Sequence, residues 1–237
     1  MGLAMAQQLL TPGHTLLCIS RSESATLSGH ARQSGASLLQ WRHDLADTVA
    51  LTGRLDGWLR EQAGTAWQSA TLINNAGVLA DIGPLAQADP AELARALRVG
   101  LEAPLLLATA FLRATEGWSA ERKVLNISSG LGRRPMASQA AYCAAKAGMD
   151  HFSRCLALEE EQKAGGARVC SLAPGVIDTD MQSQLRGADP AAFPDQDRFA
   201  RLKQSGALTP PDDAARQVLA FLARPDFGAQ PVDDVRS

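Results

Sequence analysis

The segment AYCAAKAGM, residues 141–149, places Tyr142 and Lys146 four residues apart in a run that favours a helix. Side chains at positions i and i+4 of a helix point the same way, so we expect the ammonium of Lys146 beneath the phenol of Tyr142. An unperturbed tyrosine titrates near ~10, and a nearby cation favours the phenolate. Lys146 is therefore expected to lower the pKa of Tyr142 and fit it for proton transfer. A snorkelling surface pair is the alternative interpretation.

Ser129 lies thirteen residues before Tyr142, at the end of an apolar stretch, where its hydroxyl could hold a substrate oxygen. Tyr142 is the only tyrosine in the chain, and it stands at a fixed offset from NISSG, residues 126–130. The combination resembles the short-chain dehydrogenase/reductase family, in which a strand ends in a Ser-Ser pair and a Tyr-x-x-x-Lys helix follows. The resemblance implies that Ser129, Tyr142 and Lys146 are catalytic, and that Tyr142 and Lys146 also contact the cofactor.

The composition fits one soluble α/β domain spanning residues 1–237, since 46% of the residues are hydrophobic and 20% are charged. A net charge of −2 leaves no broad basic surface for nucleic acid or for an acidic membrane, so a small-molecule partner is expected. No apolar run reaches membrane-spanning length, and the N-terminus lacks a basic region followed by an apolar stretch, so we expect a protein that is not exported. Its four cysteines have no metal-type spacing, which is typical of reduced thiols in a cytoplasmic protein without a metal site.

Apolar strand-like runs alternate with helical patterns along the chain. This alternation predicts a doubly wound, Rossmann-type parallel sheet with helices on both faces. The predicted strands are 15–20, 37–41, 70–74, 123–128 and 167–172, and the predicted helices are 3–10, 46–62, 90–115, 140–161 and 212–223. Pro104 is expected to kink or break the third helix. The polar stretch 181–206 is interpreted either as a mobile substrate lid or as an ordinary surface excursion.

Arg21 and Ser22 follow the first predicted strand, where dinucleotide-binding folds select between the two nicotinamide cofactors. An acidic side chain there binds a ribose 2′-hydroxyl, whereas arginine accommodates a 2′-phosphate. The arginine favours NADP(H), although Glu23 lies close by. After the second predicted strand, Asp44 and Leu45 resemble the family pair that contacts adenine, and a helix N-cap is the alternative interpretation of Asp44.

Two further loops resemble cofactor-binding signatures of the family. The first, NNAG at residues 74–77, follows a strand, and its small residues let a ligand approach the backbone closely. The second is the Pro-Gly loop PGVIDT at residues 174–179. Either string could be only a turn. The resemblance implies that these two loops border the ribose and the nicotinamide through Asn75, Ala76, Gly77, Pro174, Gly175, Val176, Ile177 and Thr179.

The N-terminus departs from the family pattern of a strand, a Gly-rich loop and a helix that holds the pyrophosphate. Gly2 resembles the last glycine of that loop. The chain therefore resembles an N-terminally truncated member that lacks the first strand of the family. We hypothesise that Met1 is an internal methionine of a longer natural protein. The alternative is a genuine variant of the family in which another segment closes the middle of the sheet.

Gly100 stands where the family usually carries an asparagine that positions a water in the proton relay. We expect the absence of this asparagine side chain to lower activity. We also expect that replacing Gly100 with asparagine raises turnover if the proton relay is limiting. Within the family, segments 142–150 and 174–182 are similar to those of reductases that act on vicinal dicarbonyl compounds.

The resemblance thus implies an NADPH-dependent reductase of a small ketone or vicinal dicarbonyl, with Tyr142 as the proton donor. A catalytically impaired or non-catalytic dinucleotide-binding sensor is the alternative. A homodimer or homotetramer built on the helices near 90–115 and 140–161 is also implied by the resemblance.

Overall fold

Strands and helices alternate through the computed structural model, which describes residues 1–237. The first part consists of α1 (Gly2–Leu9), β1 (Thr15–Ser20), α2 (Ala25–Ser34), β2 (Ser37–Arg42), α3 (Thr48–Glu61) and β3 (Ser69–Asn74). The rest consists of α4 (Pro90–Leu97), α5 (Ala103–Ala114), β4 (Glu121–Ile127), α6 (Ala140–Glu161), β5 (Arg168–Ala173), α7 (Asp180–Arg186), α8 (Gln196–Gln204), α9 (Pro211–Leu222) and β6 (Val232–Asp234).

All strand pairs are parallel, and they form two sheets. One sheet pairs β1 with β2, from Thr15 opposite Ser37 to Ser20 opposite Arg42. The other sheet has the order β3-β4-β5-β6, and no backbone hydrogen bond joins β1 to β3. Parallel strands need crossover connections, and the helices supply them. The predicted parallel α/β architecture is therefore confirmed, with its strands divided between two sheets.

Helices cover both faces of the four-stranded sheet. Leu125 and Ile127 of β4 pack on one face with α1 and α9, whereas Val124 packs on the other face with α3 and α5. Successive side chains of a strand point to opposite faces, so a strand buried on both sides is apolar throughout. The carboxyl-terminal halves of β4 and β5 are buried on both sides, whereas each strand begins with an exposed charged residue, Glu121 and Arg168.

The helix predicted over 90–115 is interrupted, as expected from Pro104. The helix α4 ends at Leu97, a π-helical turn spans Arg98–Glu102, and α5 begins at Ala103 with Pro104 in its first turn. Proline is tolerated there because the first amides of a helix have no intrahelical acceptor. A π turn inside a helix is frequent at functional sites, and this one contains Gly100.

Three helices and one strand were not predicted from the sequence: α2, α7, α8 and β6. The helices α7 and α8 lie within the predicted lid 181–206. Leu185, Phe193 and Phe199 form an apolar cluster of their own there, which also contacts Leu79 and Met136 beside the sheet edge. The interpretation of this segment as a mobile lid stays a prediction. None of the helices combines the length and the apolar character needed to cross a bilayer.

Candidate active site

The predicted site residues follow the carboxyl ends of the parallel strands, which all meet at one edge. In open α/β sheets ligands bind outside this edge, where the strand order reverses. Here the strands belong to two sheets, β1-β2 and β3-β4-β5-β6. The sites that follow successive strands are Arg21 and Ser22 after β1, Asp44 and Leu45 after β2, Asn75 to Gly77 after β3, Ser129 after β4, and Pro174 to Thr179 after β5.

Lys146 is buried within this edge, with 3% of its surface exposed. Its Nζ donates a hydrogen bond to the carbonyl oxygen of Ile127 at 2.7 Å and lies 5.8 Å from the ring centre of Tyr142. Burial disfavours the ammonium and lowers the pKa of Lys146 to about 8, while the charge of Asp150 opposes that change. Lys146 therefore remains mostly charged at neutral pH.

The phenol of Tyr142 lies next to Ser129 on the same edge. Burial raises the pKa of Tyr142, and the Ser129 hydroxyl lowers it by a smaller amount without reaching full hydrogen-bond geometry. The expected lowering by Lys146 is not found. The reason is geometric, because the ammonium is directed at the Ile127 carbonyl below the ring rather than at the phenol oxygen. Tyr142 is thus a protonated donor at neutral pH.

Asp150 is a buried acidic residue of α6 that the sequence analysis did not single out; 2% of its surface is exposed. Its Oδ1 accepts hydrogen bonds from Ser128 Oγ at 2.6 Å and Ser171 Oγ at 2.7 Å, and its Oδ2 accepts one from Arg133 Nε at 3.2 Å. One sequence feature could have identified Asp150. It lies four residues after Lys146 and eight after Tyr142, on the same helix face, which was expected to be buried.

The predicted ribose and nicotinamide residues lie against this group. A Cβ added to Gly77 would come within 3.8 Å of Lys146 Nζ, so the backbone of this loop lies close to the lysine. A Cβ added to Gly2, at the start of α1, would meet Asn75 Nδ2 at 2.6 Å. The contact at Gly2 requires glycine or a displaced Asn75 side chain, whereas the distance at Gly77 is an ordinary van der Waals contact. The loop after β3 therefore fits a flat dinucleotide group that approaches the backbone closely.

The adenine side of the site is more open. Arg21 and Ser22 are exposed, and Arg21 forms no ion pair, which leaves its guanidinium free for an anion. The side chain of Asp44 accepts a hydrogen bond from the Ala46 amide at 3.0 Å. The N-cap position of α3 is occupied by Asp47, so the alternative interpretation of Asp44 as a helix N-cap is wrong.

The loop after β5 pairs with the segment around Thr209 through backbone hydrogen bonds. Gly175 adopts a φ of 80°, a left-handed conformation that glycine adopts without strain. Beyond it Ile177 forms a β-bridge with Thr209, and the Thr209 amide donates to the carbonyl of Val176 at 2.9 Å. Thr179 stands at the N-cap position of α7 without capping the helix, so its hydroxyl is not used there.

Gly100 contacts the helix that carries Tyr142 and Lys146. A Cβ added at this position would lie 3.0 Å from the Cβ of Ala145, well inside ordinary carbon–carbon contact. The expectation that asparagine at position 100 raises turnover stays a prediction, and any larger side chain there displaces α6 or the π turn by a few tenths of an ångström.

Comparisons with known proteins agree with this geometry. A family model described as short chain dehydrogenase matches residues 1–190. A benzil reductase ((S)-benzoin forming) of Bacillus cereus is 34% identical over 227 residues, covering 96% of this chain and 91% of that protein. A sepiapterin reductase of Meriones unguiculatus is 34% identical over 229 residues, covering 93% and 85% of the two chains. The solved structure of a metagenomic short-chain oxidoreductase in complex with NADP is 27% identical with a TM-score of 0.70, covering 95% and 87%.

Proposed function

This chain belongs to the short-chain dehydrogenase family of oxidoreductases, and from that membership we propose that it reduces a small ketone or vicinal dicarbonyl compound to the alcohol with NADPH. The observation that carries the proposal is the convergence of Ser129, Tyr142 and Lys146 at the carboxyl edge of the parallel sheet. Members of the family bind nicotinamide dinucleotides, and the bare backbone at Gly77 supports such a group beside Lys146.

In the proposed reaction, Tyr142 donates its proton to the carbonyl oxygen as negative charge develops there. Its raised pKa supports this direction, because the phenol is protonated at neutral pH. The Ser129 hydroxyl orients and polarises the same oxygen. Lys146 keeps a positive charge near the site and contacts the nicotinamide ribose. Bound NADPH supplies the hydride that the carbonyl carbon receives.

The preference for NADPH rests on Arg21. Its free, exposed guanidinium at the end of β1 is suited to a ribose 2′-phosphate, whereas an acidic residue there would select the 2′-hydroxyl. We further propose that Ser22, Asp44 and Leu45 border the adenosine. Asn75 and Ala76 on one side, and the loop 174–179 on the other, then border the ribose and the nicotinamide.

The substrate class comes from two relatives. One is a benzil reductase, and benzil is a vicinal diketone; the other is a sepiapterin reductase. The cleft beside Tyr142 is small and mainly apolar, and it is lined by Leu85, Leu93, Ser138 and Gln139 among others. The segment 181–206 adjoins this cleft through the hydrogen bond from Ser138 Oγ to the carbonyl oxygen of Ala192 at 2.6 Å, which supports the role proposed for that segment as a lid.

We also propose that the chain assembles as a homodimer or homotetramer through α5 and α6. A groove of about 400 Å³ runs between these helices and is lined by Leu105, Phe152 and Leu156 among others. Leu105 and Leu158 are exposed on the same two helices, at 39% and 63%. Large exposed apolar side chains on neighbouring helices are typical of a protein–protein contact.

The reductase proposal is tested by two measurements on the wild-type chain and on Tyr142→Phe. Calorimetric titration with NADPH and NADH reports cofactor binding, and NADPH consumption in the presence of benzil reports turnover. Removing a general acid typically costs about 10²–10⁴-fold in rate. We expect Tyr142→Phe to bind NADPH like the wild type and to lose turnover by a factor in that range.

The outcomes separate the two functions considered. Wild-type binding without turnover on any of a panel of ketones and diketones would overturn the reductase proposal and favour a dinucleotide-binding sensor. Equal turnover by the wild type and Tyr142→Phe would exclude Tyr142 as the proton donor. Tighter binding of NADH than of NADPH would refute the cofactor preference alone.

A further inference from the structure

The buried carboxylate of Asp150 connects three segments that carry or adjoin the proposed catalytic groups. It accepts hydrogen bonds from Ser128 at the end of β4, from Ser171 in β5 and from Arg133 in the segment after β4. Arg133 in turn donates through Nη2 to the carbonyl oxygen of Asp233 at 2.6 Å, which ties the network to β6. A buried charge is costly unless it is paired and hydrogen-bonded, and every partner named here reduces that cost.

The location of this network matters more than its stability. Ser128 immediately precedes Ser129, and Asp150 lies one helical turn after Lys146 and two turns after Tyr142. The Asp150 carboxylate thus joins the strand end that presents the serine to the helix that presents the tyrosine and the lysine. Gly132 allows the close approach, because a Cβ there would lie 2.9 Å from the Lys146 carbonyl and 3.1 Å from Asp150 Oδ2.

We propose that Asp150 is a positioning residue of the reductase site, whose carboxylate fixes Ser129 relative to Tyr142 and keeps Lys146 charged. The proposal rests on the proposed function for its effect on turnover. Its effect on Lys146 is a property of the folded chain and can be measured without any substrate.

The electrostatic part follows from the groups around the lysine. On α6 itself Lys146 faces Tyr142 and Asp150, and from β4 it faces the neutral carbonyl of Ile127. Around Asp150 the other charged or titratable groups are Arg133, Asp233 and the thiol of Cys170, whose pKa burial raises to about 12. Asp150 is the anion that supports the ammonium against burial, so its neutralisation should let the pKa of Lys146 fall further.

The substitution Asp150→Asn tests this, because it keeps the shape of the side chain and removes its charge. The chain has four lysines, Lys123, Lys146, Lys163 and Lys203, so ¹³C labelling of the lysine Cε gives few NMR signals. Lys146→Arg identifies the signal of interest. We expect the pKa of Lys146 to fall below about 8 in Asp150→Asn, because the charge that opposes the effect of burial is lost. We expect the high-pH limb of the kcat profile to move down by the same amount.

Misplacement of reacting groups by about 1 Å can cost 10²-fold in rate, so kcat should fall by roughly 10-fold or more. The KM for NADPH should change little, because Asp150 lies behind Lys146 rather than at the cofactor edge. Asp150→Glu, which restores the charge, should return the Lys146 pKa toward its wild-type value.

A matched control is available on the same helix. Glu160 is also a buried carboxylate of α6, and it accepts hydrogen bonds from Lys163 Nζ at 2.5 Å and the Ala167 amide at 2.8 Å. It lies ten residues from Asp150, roughly 15 Å along the helix. Glu160→Gln should lower stability while leaving the Lys146 pKa and the pH profile per folded molecule unchanged.

An unchanged Lys146 pKa in Asp150→Asn would overturn the electrostatic part of the proposal. A kcat that falls no more than in Glu160→Gln would overturn the positioning part. If the wild type has no turnover at all, the proposed function fails, and the lysine pKa still decides whether Asp150 supports the charge.

Discussion

Replacing Gly100 with alanine is expected to destabilise the chain, although alanine normally stabilises a helix relative to glycine. The added Cβ would lie 3.0 Å from the Cβ of Ala145, whereas carbon atoms pack best at about 3.5–4.0 Å. Ala145 is 2% exposed and belongs to α6, so it cannot move aside as a flexible side chain would. Either the π turn or α6 must shift by several tenths of an ångström.

The expected magnitude combines two opposing effects. Overpacking a buried contact costs about 1–3 kcal/mol, while removing a glycine from a helix contributes about 0.5–1 kcal/mol in the other direction. We therefore expect Gly100→Ala to lower the free energy of unfolding by about 0–2.5 kcal/mol. In a chain of this size that corresponds to a fall in Tm of up to roughly 10 °C.

A double-mutant cycle with Ala145→Gly isolates the contact. The double variant moves the methyl group from one side of the contact to the other, so its stability should exceed the sum of the single effects by about 1–3 kcal/mol. Urea denaturation followed by circular dichroism gives all four free energies. Gly53 provides the control, because it lies in α3 with no atom within 4 Å of an added Cβ, and Gly53→Ala should be neutral or stabilising. A stabilised Gly100→Ala, or additivity with Ala145→Gly, would refute the steric argument.

Three further outcomes are expected. Arg21→Ala should weaken NADPH binding by roughly 10–100-fold in calorimetry and leave NADH binding unchanged, because a charge-assisted hydrogen bond contributes about 1.5–3 kcal/mol; equal losses for both cofactors would contradict this role. The pKa of Lys146 falls from 10.5 to about 8 on folding, so the unfolded chain binds more protons between these pH values and wild-type stability rises with pH there. The free energy of unfolding of Lys146→Met should not show this increase, which is at most about 3 kcal/mol, when urea titrations at pH 7 and pH 10.5 are compared. The same increase in the variant and in the wild type would contradict the prediction. Leu158→Glu should shift the assembly toward monomer in size-exclusion chromatography with light scattering, and an unchanged mass would remove α6 from the proposed interface.

The strands were the most predictable part of the fold. The five predicted runs correspond to β1 to β5 within about two residues, because each strand has central apolar residues that are at least partly buried. The helix α2 was missed because its sequence, ATLSGHARQS, has only Leu27 and Ala31 as buried positions. The strand β6 has three residues, fewer than any periodicity can reveal.

The candidate site was predictable only where its chemistry is local in sequence. Tyr142 and Lys146 share a helix, and their relative placement follows from the i, i+4 spacing. The network of Asp150 joins residues 17 to 22 positions apart, and the contact of Gly100 with Ala145 spans 45 positions. Neither has a sequence pattern. The direction of the Tyr142 pKa was mispredicted because burial raises it and the Lys146 ammonium is directed at the Ile127 carbonyl, and both are tertiary properties.

The division of the strands between two sheets has a consequence for how the chain opens. The pair β1–β2 has backbone hydrogen bonds only within itself, and its attachment to β3–β6 depends on side chains such as Ile19 and Trp41 packing under α3 and α5. Proteins open locally in cooperative units bounded by weak contacts, and amide exchange reports the free energy of each unit separately. The amides of residues 15–42 should therefore exchange together and well before those of β4 and β5. Each sheet would then have its own free energy of opening.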